Sequence, residues 1–189
     1  MSIHPETVSR SASLLGEAVP VVQTSRPQHG LLMGGAAHGH PGSEKYHLCV
    51  LDLDAAVPGV VVIPTTFFGH GVAFDPAYPG RLALFEKRGK GACEIDLKTG
   101  RVTRAISTAA NRQFYGHGAY SPDGKLLYCT ETIVEGDFDG IIAVRDACTH
   151  ELLGHFPSYG ASPHDCHLVD GGSTMAITNG GGRSGETPP

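Results

Sequence analysis

Short apolar stretches alternate with turn-forming residues from Gln28 to the C-terminal glycines. Runs of this length, rich in Val, Ile, Thr and aromatic residues and bounded by Gly, Pro, Asn and Asp, predict β-strands rather than helices. The predicted strands are Gly30–Ala37, Tyr46–Leu53, Val60–Pro64, Gly71–Phe74, Arg81–Lys87, Gly91–Asp96, Arg101–Ser107, Gly118–Tyr120, Lys125–Thr130, Gly140–Asp146, Glu151–Phe156, Cys166–Val169 and Thr174–Thr178. The pattern therefore predicts an all-β protein.

A short phrase centred on histidine recurs along the chain. It reads FGHG around His70, YGHG around His117 and SPHD around His164, so the interval between histidines is 47 residues both times. Four short antiparallel strands in a unit of this length are typical of a β-propeller blade. We predict a leader or linker over residues 1–27, followed by a partial β-propeller over 28–189 with blades at about 28–67, 68–114, 115–161 and an incomplete 162–189.

The number of repeats bears on whether the ring can close. Each blade buries its faces against its neighbours, and closed rings have roughly four to eight blades. The chain supplies about three and a half units. We therefore expect an incomplete part of a seven-bladed ring that belongs to a longer protein. The alternative is a closed four-bladed ring in which a strand from residues 18–25 completes the last blade.

Four segments together resemble a known family. The segment 114–128 (FYGHGAYSPDGKLLY), with FPSYG at 156–160, PHD at 163–165 and TNGG at 178–181, is similar to a bacterial family known as domain of unknown function 1513. The similarity spans about residues 28–182 and corresponds to the N-terminal half of family members, which look like propellers of the WD40/YVTN type. No activity is established for the family that could be carried over.

The same resemblance carries an expectation about location. Family members usually have an export signal and are often encoded near periplasmic iron-uptake components, so the resemblance implies a periplasmic protein linked to iron handling. No signal sequence is visible in this chain, which makes a cytoplasmic location the alternative.

Charge and hydropathy narrow the range of partners. The net charge is −5, and the basic residues do not form a large cluster. Nucleic acid is therefore not an expected partner. Because no stretch approaches the roughly 18 apolar residues of a transmembrane helix, we expect no membrane span. The remaining candidate partners are a protein or a small molecule whose identity the sequence does not reveal.

The periodic histidines are the main candidates for chemistry. In a propeller the strand after each phrase is the innermost one, so His70, His117 and His164 are expected near one rim of the central channel. Neutral imidazoles that converge there suit Fe, Cu or Zn, and Asp165 and His167 are candidates for further ligands. The alternative is structural: each histidine hydrogen-bonds the backbone of a neighbouring blade.

Two further groups of residues are weaker candidates. His38, His40 and His47 form a second histidine cluster, for which an exposed surface loop is the favoured interpretation. The segment 131–139 is predicted to be an acidic loop. Its clustered carboxylates are the ligands that Ca²⁺ prefers, but their spacing does not match an EF-hand, so a solvated loop is favoured.

These observations favour a non-enzymatic propeller that binds a metal, a small ligand or a protein partner at its channel face. One alternative is a lactonase- or hydrolase-type enzyme in which a channel metal and a carboxylate, Asp165 or Glu131, activate water. Another is a pure protein-interaction scaffold. No Gly-x-Ser-x-Gly sequence is present, so serine hydrolase chemistry has no candidate.

Overall fold

The structure of the protein is a computed structural model that describes residues 30–55, 59–135 and 139–181. Its strands are β1 (Leu31–His38), β2 (Lys45–Asp52), β3 (Val60–Thr65), β4 (Gly69–Phe74), β5 (Arg81–Gly89), β6 (Ala92–Asp96), β7 (Arg101–Ala105), β8 (Arg112–Tyr120), β9 (Leu126–Ile133), β10 (Asp139–Asp146), β11 (Leu152–Ala161), β12 (Pro163–Val169) and β13 (Thr174–Asn179). In the described ranges the only helical element is a 3-10 turn at Asp170–Gly172. The all-β prediction is confirmed. The predicted leader, and the strand that the four-bladed alternative places within residues 18–25, lie outside the described residues.

Every strand pairs in antiparallel fashion, mostly with its neighbour along the chain. The order β1-β2-β3 forms a three-stranded sheet, β4-β5-β6-β7 and β8-β9-β10-β11 form two four-stranded meanders, and β12 pairs with β13. The two meanders also meet through β5 and β8, where Lys87 lies opposite Tyr115 and Gly89 opposite Phe114. This connection brings the first strands of the two meanders close together.

The β4–β7 sheet packs against a core cluster on each face. Side chains alternate between the two faces of a strand, and β5 shows the consequence. Leu82 and Leu84 belong to a core cluster with residues of β2 and β3, whereas Ala83 and Phe85 belong to a second cluster with residues of β8, β9 and β10. In the second cluster the ring centroids of Phe85 and Phe114 lie 6.0 Å apart. Packing on both faces fixes the sheets relative to one another.

Several strands are longer than the sequence predicts. β8 begins at Arg112 rather than Gly118, and β11 continues to Ala161 rather than ending at Phe156. Glycine and proline in these segments favoured loops. The structure accommodates them as irregular strand, with shifts of register between Phe114 and Gly118. β4 and β12 also begin earlier than predicted, so the three periodic histidines lie inside strands rather than just before them.

The prediction of an acidic loop at residues 131–139 is wrong for its first residue, Glu131. Glu131 lies in β9 and is fully buried. Its Oε1 accepts a hydrogen bond of 2.6 Å from a guanidinium nitrogen of Arg145, and its Oε2 accepts one of 2.9 Å from the hydroxyl of Thr108. Glu135 is exposed, and Asp137 lies outside the described residues. Glu131 is thus a buried partner of an equally buried arginine, rather than a solvated cation ligand.

We expect Glu131→Ala to destabilise the protein by about 3–5 kcal/mol, because it leaves the charge of Arg145 buried without a partner. Urea unfolding followed by circular dichroism measures this change. Glu135→Ala is the matched control, since it removes an exposed carboxylate from the same segment and should change the stability by less than about 0.5 kcal/mol. Equal effects of the two substitutions would contradict the assignment.

Candidate metal centre

The strands β4, β8 and β12 each carry one histidine, and the three histidines lie side by side. His70 lies on β4, His117 on β8 and His164 on β12. One ring nitrogen from each lies within 4.8 Å of the others. The ring centroids are 5.0 Å apart for His70 and His117, 5.0 Å for His117 and His164, and 5.6 Å for His70 and His164. Residues that are distant in the chain thus form one compact cluster.

Two glycines allow the close approach of β4 and β8. A Cβ atom at Gly71 would lie 2.3 Å from the carbonyl oxygen of Gly116 and 2.6 Å from Nδ1 of His117. Gly116 has φ of +116°, and a Cβ atom there would lie 2.7 Å from Cδ2 of His70. Side chains at these positions would force the strands apart, so the glycines that flank the histidines are part of the geometry of the cluster.

The backbone of His117 is fixed separately from its ring. Its N–H donates to Oγ1 of Thr130 at 3.2 Å, and the hydroxyl of Thr130 donates back to its carbonyl oxygen at 2.9 Å. Within the described ranges, none of the three cluster rings hydrogen-bonds a backbone group. The structural alternative, in which each ring is anchored to the backbone of a neighbouring blade, is therefore not what the geometry shows.

The two other predicted ligands lie at the edge of the cluster. Asp165 places Oδ1 3.7 Å from Nδ1 of His117, while its Oδ2 lies 3.0 Å from Nε2 of His167. The side chain of His167 is 74% exposed and contacts Asp165 instead of the three clustered rings. Of the five predicted residues, three lie together, Asp165 lies beside one of them, and His167 lies outside.

Sequence reasoning missed a lysine at the centre. Lys87 comes from β5 and is half-buried, and its Nζ lies 2.9 Å from Nε2 of His164. The histidine repeat marks only the first strand of each unit, and Lys87 lies on a second strand. The signal that finds it is the pairing of β5 with β8, which places Lys87 opposite Tyr115, two residues from His117.

The surroundings keep two of the imidazoles neutral. The pKa of His70 is lowered by burial and by electrostatic interaction with Lys87 and His164. Burial also lowers the pKa of His117, and this effect outweighs the opposing attraction of Asp165. A neutral imidazole has a lone pair available for a metal ion. At neutral pH His70 and His117 can thus ligate without first losing a proton.

The second histidine cluster does not form a comparable centre. His38 closes β1 and His47 lies in β2, so two of its members are in strands and the surface-loop interpretation holds only for His40. The rings of His38 and His47 are stacked, with centroids 4.8 Å apart, and both line an open cavity of about 540 Å³. Among the described residues, the group of three potential ligands occurs only at His70, His117 and His164.

Comparison with known proteins places the chain in a family. Residues 63–187, which include all three clustered histidines, match the family described as protein of unknown function DUF1513. The chain belongs to this family. A search of curated proteins found no match.

Among solved structures the chain resembles hydrazine synthase from Kuenenia stuttgartiensis. The TM-score is 0.58 and the sequence identity is 15%, with 73% of this chain and 39% of that chain covered. At this identity the likeness concerns the fold alone, and this chain spans about two fifths of the length of that structure. In the part of the DUF1513 chain that the structure describes, no helix is long and apolar enough to cross a membrane.

We expect His70 and His117 to titrate below pH 6.5, the ordinary value for histidine, in NMR spectra of the ring Cε1–H groups. Because the unfolded chain takes up these protons first as the pH falls, both groups lower the stability of the folded protein below about pH 6.5. Lys87→Met should raise both pKa values, since it removes a nearby positive charge. Midpoints at or above 6.5 in the unsubstituted protein would contradict the described environment.

Proposed function

We propose that this DUF1513 protein is a non-enzymatic binding protein that holds a transition metal ion between His70, His117 and His164. The observation that carries the proposal is the approach of three ring nitrogens, from three different strands, to within 4.8 Å of one another. Zinc bonds imidazole nitrogen at about 2.0–2.1 Å, so two nitrogens on one tetrahedral ion are roughly 3.3 Å apart. Small rotations of the rings would bring the three nitrogens from their present separations, within 4.8 Å, to this shorter distance.

The chemistry of the donor set suits several ions. Three imidazole ligands favour Fe, Cu or Zn over the hard cations Mg²⁺ and Ca²⁺, which take oxygen ligands. The sheet of β4, which carries His70, packs against a core cluster on each face, which limits the motion of this ligand. Iron is the ion that fits the periplasmic iron handling implied by the family resemblance, and a periplasmic location is part of the proposal.

We further propose that the strands are blades of a β-propeller. The first strands β4, β8 and β12 lie together at the histidine cluster, whereas the last strand β7 is exposed along its whole length. In a propeller the first strands line the central channel and the last strands form the outer edges. The histidines then face the channel, where an ion or a partner can reach them.

A metal-assisted hydrolase is the second candidate. Three protein ligands leave one coordination position open, as in catalytic zinc sites, and Asp165 lies beside His117. Glu131, the other carboxylate considered for this role, is fully buried and engaged by Arg145 and Thr108. The enzyme hypothesis thus depends on Asp165 alone. An Asp165→Asn variant that retains metal but loses hydrolysis of a lactone substrate would favour this candidate.

The direct test is metal binding by the full chain, titrated with Zn²⁺ in competition with a chromophoric chelator. We expect one ion per chain. A His70→Ala/His117→Ala/His164→Ala variant should lose at least about 100-fold in affinity, because the loss of outer partners alone costs 10–100-fold at metal sites. His155→Ala, which removes an exposed histidine of β11, is the matched control and should bind normally.

Two outcomes would overturn the metal proposal. One is that the unsubstituted chain binds no Zn²⁺. The other is that the triple variant, shown to be folded by circular dichroism, binds Zn²⁺ as tightly as the unsubstituted chain. Either result would favour the protein-interaction scaffold.

A further inference from the structure

Lys87 is the residue at the centre that a simple metal site does not explain. Its Nζ lies 2.9 Å from Nε2 of His164. An ammonium group has donors but no acceptor, so Nε2 of His164 accepts this hydrogen bond with its lone pair. Lys87 therefore occupies one of the two ring nitrogens with which His164 could bind an ion, and it places a positive charge beside the ring.

The charge of Lys87 also disfavours the binding of a bare metal ion. In the part of the chain that the structure describes, Lys87 forms no ion pair with a carboxylate. Asp165 is the acidic residue beside the clustered rings, and it already pairs with the exposed His167. A divalent ion bound by the three histidines would therefore place a second positive charge beside the ammonium group of Lys87, and the two like charges would repel one another.

An anion relieves this repulsion. Three histidines leave a coordination position open on a tetrahedral ion, and the ammonium group of Lys87 offers hydrogen-bond donors beside it. His70 is exposed, so a small ligand can reach the centre from solvent. A carboxylate carries two oxygens and a single negative charge. One oxygen can bind the ion while the other accepts a charge-assisted hydrogen bond from Lys87.

We propose that the centre binds its metal ion together with a small monoanionic carboxylate, which is held between the ion and Lys87. The inference rests on the proposed metal function and adds to it the chemical class of a second ligand. Lys87 acts as a selectivity residue: it weakens the binding of a bare ion and strengthens the binding of an ion that carries an anion.

The test titrates the full chain with Co²⁺, followed by visible absorption, with and without acetate at constant ionic strength in sodium perchlorate. In the unsubstituted protein, acetate should tighten Co²⁺ binding by about tenfold or more, the worth of one hydrogen bond between charged groups. Lys87→Met should bind Co²⁺ more tightly than the unsubstituted protein when acetate is absent, and should lose most of the acetate effect. Lys87→Arg, which retains the charge, should preserve that effect.

The outcomes separate the two proposals. If the unsubstituted chain binds Co²⁺ but acetate has no effect, or has the same effect in Lys87→Met, the carboxylate proposal is wrong while the metal site stands. Weaker Co²⁺ binding by a folded Lys87→Met variant without acetate would also overturn it, because Lys87 would then support the bare ion. If the unsubstituted chain binds no Co²⁺ under either condition, the metal site and the carboxylate proposal both fail.

Discussion

The close approach of the β4 and β8 backbones is the constraint on which the candidate centre depends. Gly71 and Gly116 face each other at a separation that leaves no room for a Cβ atom, and the rings of His70 and His117 occupy the space beside them. The sheets that carry these strands are packed through Phe85 and Phe114. Glycine at the contact and large side chains in the core thus cooperate to hold the imidazoles close together.

The Glu131–Arg145 pair and the histidine cluster differ in how deeply they are buried and in how their charges are balanced. Glu131 and Arg145 are almost completely withdrawn from water, and each neutralises the other. Such a pair is a structural unit, because removal of either partner leaves a buried charge. The histidine cluster is only partly buried and contains a lysine without a carboxylate partner in the described chain. Perturbed titratable groups gather at functional sites as well as in structural networks, so the histidine cluster is a candidate site.

Much of this arrangement could be predicted from the sequence, for identifiable reasons. Strand positions followed from short apolar runs between turns, and the 47-residue interval indicated that His70, His117 and His164 occupy equivalent places. What failed was the predicted start of β8 at Gly118, which left Tyr115, Gly116 and His117 outside the strand. In β8 the glycines are tolerated within the strand, because the register shifts there and β4 needs the space.

Lys87 and Glu131 could not be predicted, because their roles arise between strands. The contact of Lys87 with His164 joins residues 77 positions apart and depends on how β5, β8 and β12 meet. Glu131 is a charged residue in a segment whose composition predicts a loop, and its burial is explained only by its partner on β10, Arg145. Sequence periodicity reports which residues are equivalent, but not which side chains from different units come into contact.

The central claim is that three histidines from three strands bind one metal ion. X-ray absorption spectroscopy at the zinc edge of the Zn²⁺-loaded chain tests it most directly. The account predicts three imidazole nitrogens at about 2.0–2.1 Å with one further light atom. Sulfur scattering at about 2.3 Å, which would point to a cysteine such as the exposed Cys148, or a signal from fewer than three imidazoles, would contradict it.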